Sequence, residues 1–237
     1  MSDHSLDVET TDAAGPIELG MYSIDELAAL APGRVDLLDG DQADPAAGAR
    51  ALLAGGRMQL ATGLDGTLAG VPTEAAAVVA RFLTDPERTI VVRVDDLFGT
   101  DQYVLHGQAV DDAQCYVLEG GTRGVRRLIF VLDTDAPAVI AELTGLDELA
   151  EAVNLGEAPR DVEIDSEPAD SPLGKALAQP VRSVTLSAGR PGAELIDISF
   201  VHGEDAAWLI EWTGESTARV SPLDGDAVSA SLARVLA

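Results

Sequence analysis

The chain has 237 residues and a formal net charge of −26, from 41 acidic and 15 basic side chains, with 46% hydrophobic residues and one cysteine. That length and apolar content allow a substantial core and exclude wholesale disorder, and no apolar run approaches the ~20 residues that span a bilayer. Such an acidic surface gains nothing from counterion release on nucleic acid and is repelled by anionic lipid, while the lone Cys115 permits no internal disulfide and fits a reducing cytoplasm.

In chain order, residues 1–16 are polar, acidic and aperiodic, and read as a disordered tail without the basic and apolar regions of a secretory signal. Ile17 to Tyr22 alternates as a strand does. Ser23-Ile24-Asp25-Glu26 is a capping box, so a short helix runs from there to Leu30 and stops at Pro32-Gly33. The acidic stretch 38–44 resembles the start of a calcium loop, but its twelfth position is Arg50 where a glutamate is required. A helix start explains it better: Asp44 caps, Pro45 takes the first position, and Gly55-Gly56 ends the helix. Leu60 to Gly70 reads as a glycine-rich connection. Thr73 to Leu83 is a helix, with Ala75, Val78, Val79 and Phe82 at helical spacing.

From here the chain repeats itself. A helix ends before Pro86 and another before Pro180, followed by Pro-x-Arg-Thr-Ile at 86–90 and Pro-x-Arg-Ser-Val at 180–184. Tyr116-Val117-Leu118-Glu119 matches Trp208-Leu209-Ile210-Glu211, and Leu-Asp-x-Asp recurs at 132–135 and 223–226 ahead of a helix. The matched positions draw slightly closer along the chain, as small loop deletions produce. The first copy, 86–146, predicts strands at 89–94, 103–110, 114–119 and 127–132 and a helix over 137–143. The second, 180–237, predicts strands near 182–188, 194–201, 206–213 and 217–221 and a helix from Asp226 to Leu236. Short loops throughout imply antiparallel neighbours, since parallel ones need long crossovers. Residues 154–172, rich in acids and carrying three prolines, read as an exposed linker. The expected plan is α+β, with two pseudo-symmetric halves, 17–153 and 173–237, around a central antiparallel sheet with flanking helices.

No catalytic signature emerges. Among the histidines, His4 lies in the tail, His106 within a strand and His202 at a turn, and no spacing of cysteine, histidine or carboxylate supports a metal site. No nucleophile elbow, Walker loop or dinucleotide fingerprint occurs. Acidic pairs sit at turns, and aromatics are only 4%, against the sugar-holding cleft of a glycosidase. No buried pairing of a carboxylate with His106 or His202 is expected, and no cofactor. One loop breaks a local rule: Asp95 to Asp101 carries Leu97 and Phe98 amid acids. Two uses compete for them, covering the sheet edge and anchoring a protein partner. The first, with Phe98 folded back, is the plainer reading, and the second makes Leu97 and Phe98 the candidate partner-binding residues.

The order of features resembles the ESX secretion-associated EspG family of actinobacterial type VII secretion, over most of residues 17–237. The resemblance rests on Ile17-Glu18-Leu19 before a short helix, the helix with Ala51-Leu52-Leu53-Ala54-Gly55-Gly56, and the helix ending at Leu83-Thr84-Asp85-Pro86. The strand at Ile210-Glu211-Trp212, then Val220-Ser221-Pro222 and the closing helix, also fit. It implies two pseudo-symmetric halves and a cytosolic chaperone that binds the helical tip of secreted PE–PPE heterodimers. The function expected is therefore non-enzymatic protein binding, by a monomer or weak dimer, with a helical secreted protein or another basic or neutral protein as partner. An acidic inhibitor or immunity protein for a basic toxin is the alternative, and a carboxylate-based hydrolase a remoter one.

Overall fold

A computed structural model describes residues 15–34, 43–62, 67–121, 124–146, 148, 158–190, 192–204 and 206–237. The acidic tail up to residue 14 and most of the calcium-like stretch lie outside them. The N-terminal elements are β1 (Ile17–Ser23), α1 (Ile24–Leu30), α2 (Pro45–Ala54), β2 (Met58–Thr62), β3 (Leu68–Pro72) and α3 (Glu74–Thr84). The first meander follows: β4 (Arg88–Asp96), β5 (Gly99–Val110), β6 (Ala113–Gly120), β7 (Val125–Leu132) and α4 (Ala136–Thr144). Next come β8 (Arg160–Glu163) and α5 (Pro172–Ala178), then β9 (Arg182–Gly189), β10 (Ile196–His202), β11 (Ala207–Trp212), β12 (Thr217–Pro222) and α6 (Gly225–Leu236).

Local chemistry sets the element ends as the sequence predicts. Ser23 and Glu26 close a reciprocal capping box on α1, and Asp44 accepts from the Ala46 and Ala47 amides ahead of Pro45. Asp111 and Asp112 both have positive φ, 49° and 66°, the conformation that a two-residue hairpin between right-twisted strands requires. The described part of the expected connection at 60–70 belongs instead to a small ribbon, β2 paired with β3, in a sheet separate from the main one.

The main sheet has ten antiparallel strands in the order β1-β7-β6-β5-β4-β9-β10-β11-β12-β8. From the centre outward, both sides run meander first and edge strand last, so the halves are related by a pseudo-two-fold axis. It passes where Val92 lies opposite Leu186, its own counterpart in the repeat. Strand alternation then divides the faces. Ile90, Val92, Leu105, Tyr116, Leu118, Val184, Leu186, Ile198, Phe200 and Leu209 point to one side, covered by α4 and α6. On the other, α1, α2 and α3 pack over the first half and α5 over the second, as two separate clusters. The end of α6 is held from the sheet, where the Leu236 carbonyl accepts from the Tyr116 hydroxyl (2.9 Å) and Arg88 (3.1 Å). Cations at a helix C-terminus also complement its dipole.

Two expectations are corrected by the registers. Tyr116 does not match Trp208: following the pairings outward from the axis, Tyr116 corresponds to Ala207 and Val117 to Trp208. Tyr116 therefore faces α4 and α6, while Trp208 faces α5. Likewise Val131, not the half-exposed Leu132, is the counterpart of Leu223. A one-residue slip reverses every side chain, so burial and not likeness of residue type decides the match. The acidic stretch 154–172 is also more than a linker. Its described part forms β8, paired along β12 with Val162 buried, and closes the sheet with a short charged edge that discourages further strand addition.

Candidate functional site

At one end of the sheet the β4–β5 hairpin turns through Leu97 and Phe98 alone. Strand pairing runs to Asp96 opposite Gly99, so the predicted loop 95–101 is mostly strand. The turn backbone is fixed by its acids. Asp96 Oδ1 accepts from the amides of Phe98 (2.7 Å) and Gly99 (3.1 Å), and Asp95 is gripped by Arg93 through two N–H···O bonds. That grip, with a further bond from Thr100, holds the Asp95 carboxyl below the usual carboxylate range despite some desolvation. The two apolar side chains project from this rigid base. Leu97 is 79% exposed and Phe98 98%, which corrects the expectation that Phe98 folds back over the sheet edge. Its neighbours leave it no apolar surface to cover, because the Val94 and Tyr103 side chains already turn toward α4 and α6.

Along the same strand, beyond Asp101, a groove of about 260 Å³ opens between the sheet and α4. Tyr103, Leu118, Ile129 and Leu143 line it, and Asp101, Gln102 and Arg127 form its polar rim. Gly120 makes room for the Tyr103 ring, since a Cβ there would stand 2.6 Å from it. An exposed apolar tip beside an apolar groove with a polar rim is the surface chemistry of a protein-binding site. The sequence singled out the tip. It missed the groove, whose lining comes from four elements.

Beneath α3, on the opposite face, lies a polar cluster that overturns a second expectation. Glu119 on β6, 1% exposed, accepts from His106 Nε2 on β5 at 2.9 Å. It also accepts from Arg34 Nη2 and Nη1, at 2.8 and 3.2 Å, while Arg126 Nε on β7 approaches to 3.4 Å. Burial alone would push the Glu119 carboxyl up. The hydrogen bonds from His106 and Arg34, with the charge of Arg34, outweigh it and hold the carboxyl at about 2. An ionised carboxylate only accepts, so the His106 proton in this bond sits on Nε2. Nδ1 is buried without a hydrogen-bond partner. His106 also lines a cavity of about 240 Å³ with Gly33, Arg34, Leu83, Thr84, Pro86 and Thr89. Carboxylate and histidine lie 13 positions apart, and Arg34 lies 85 from Glu119, so no sequence motif marks the group.

Cys115 is a core thiol whose pKa burial pushes up. Among the described residues no group of three or more histidine, cysteine and carboxylate side chains is placed to hold a metal ion, and no helix is long and apolar enough to cross a membrane.

No family profile matches the sequence, and neither does any curated protein sequence. The fold is similar to that of the Mycobacterium tuberculosis type VII secretion system chaperone EspG5, solved in complex with a PE25–PPE41 dimer. The TM-score is 0.59 at 16% identity, covering 93% of this chain and 95% of that one. At that identity the likeness is one of fold, and across nearly the whole of both chains this protein has an EspG-like α+β architecture.

Proposed function

We propose that this chain is a cytoplasmic, non-enzymatic chaperone that holds the end of a helical partner, in the manner of a type VII secretion chaperone with a PE–PPE-like substrate. The observation that carries the reading is the EspG-like fold, similar over almost its full length to a chaperone solved with such a dimer. The surface chemistry supports it. A helical end offers a few large apolar side chains, and most interface energy comes from a few such anchors. Leu97 and Phe98 present two on this side, and the adjoining groove accepts others. The acids around them favour a basic or neutral partner and repel an acidic one.

The test is co-expression with helical PE–PPE-like pairs, followed by capture on the tagged chain. The expected result is a stable complex that the double substitution Leu97→Ala, Phe98→Ala weakens without altering folding. Failure to retain any helical pair would refute the chaperone reading. The charge of −26 supports a second reading, an inhibitor covering a basic toxin surface. Capture dominated by long-range charge falls steeply with salt, whereas capture through apolar anchors does not.

A further inference from the structure

The pseudo-two-fold gives the polar cluster an internal control. By strand register, His106, Glu119 and Arg126 in the first half correspond to Val201, Ile210 and Ala218 in the second. Those three are buried in an ordinary apolar cluster beneath α5. The same positions on the same sheet face are therefore satisfied by apolar side chains, and the fold does not need ions there. Replacing buried ion pairs by packed apolar groups is commonly neutral or stabilising, so a polar set kept in one half alone points to a role beyond packing.

The cavity beside it indicates which role. Among the described residues its lining includes Arg34, His106 and Thr89 but no carboxylate. Glu119 lies behind the imidazole and holds Nε2, which leaves Nδ1 as the ring nitrogen available to a ligand. Thr89 stands directly across the strand pair from His106. We infer that this cavity binds a small oxyanion, a carboxylate or a phosphate, between Arg34, Thr89 and His106, with uptake of a proton on Nδ1. Because Nε2–H is already given to Glu119, Nδ1 can donate to an anion only in the imidazolium form, so each anion bound brings one proton with it. Among the described residues, the charged groups around the ring are Glu119 from β6, Arg34 from the turn after α1 and, through Glu119, Arg126 from β7. The volume suits one small anion and excludes a polymer. This inference stands independently of the chaperone reading and uses the opposite face of the sheet.

The experiment titrates the full chain with inorganic phosphate and, separately, acetate, at constant ionic strength set with chloride. Long-range proton–nitrogen spectra of the imidazoles follow His106, with His4 and His202 as internal references. The expected result is a saturable change confined to the His106 ring with at least one of the two anions. Calorimetry in two buffers of different ionisation heat should show uptake of a proton. His106→Gln keeps an amide N–H for Glu119 but lacks Nδ1, and should bind about tenfold more weakly or worse. No saturable change with either anion, a change shared equally by His4 and His202, or undiminished binding by His106→Gln overturns the proposal. Should that variant fail to fold, the spectra of the native chain decide alone.

Discussion

Glu119 offers the most quantitative test of how this structure is held. Its carboxyl lies at about 2 in the folded protein against an ordinary 4.5, because His106 and Arg34 hydrogen-bond the ionised form. At about 1.4 kcal/mol per pH unit, that gap corresponds to about 3 kcal/mol of stability. The depressed value fixes the direction: the contribution is complete above pH 4.5 and is lost as pH falls from there through about 2. A bare pH scan would not isolate it, since 41 acidic residues titrate in the same range. The comparison with Glu119→Gln does. At pH 7 the variant leaves buried guanidinium groups facing an amide and should lose on the order of 3–5 kcal/mol in urea unfolding. The gap should narrow as pH falls below 4.5, because Glu119 of the unfolded native chain then takes up a proton while the folded carboxyl stays ionised down to about 2. A gap that stays constant between pH 6 and 3 would refute the argument that hydrogen-bonded charge, and not shape, gives Glu119 its importance. The apolar exchange His106→Val, Glu119→Ile, Arg126→Ala copies the second half and should cost less at pH 7 than Glu119→Gln alone.

Replacing Leu97 and Phe98 together by alanine should weaken capture of a helical partner by about 2–4 kcal/mol, read by titration calorimetry, with an unchanged Tm. Lost stability with intact capture would contradict the exposed hairpin tip. Gly120→Val places atoms where the Tyr103 ring lies, 2.6 Å from a Cβ, and should displace that ring and close the groove. Capture should fall, whereas an unaffected complex would move the partner off the groove. Tyr116→Phe removes the hydroxyl that holds the Leu236 carbonyl and should cost about 1–2 kcal/mol, with faster amide exchange in the last turn of α6. Burial pushes the Tyr116 phenol up to about 12, so alkaline ionisation should not release that contact below this range.

Much of this architecture was legible because it depends on neighbours in the chain. The capping box at Ser23, the Asp44-Pro45 start, the acidic two-residue turn at Asp111-Asp112 and the alternating strands of both meanders all follow from contacts a few residues long. The repeat was visible for the same reason, and Leu97 and Phe98 stood out because acids flank them. What depended on partners far along the chain was not. The match of Tyr116 with Trp208 looked sound by residue type, yet only strand pairing sets register, and a single step sends the two rings to opposite faces. In the acidic stretch 154–172, Val162 is the one apolar side chain that β8 buries, too weak a signal to separate an edge strand from a linker. The sequence by itself determined the antiparallel halves, through local pattern and short loops. The tertiary structure alone decided that His106, Glu119, Arg34 and Arg126 converge. Buried charges are tolerable only where partners from separate strands and turns arrive together, and no local pattern encodes that meeting.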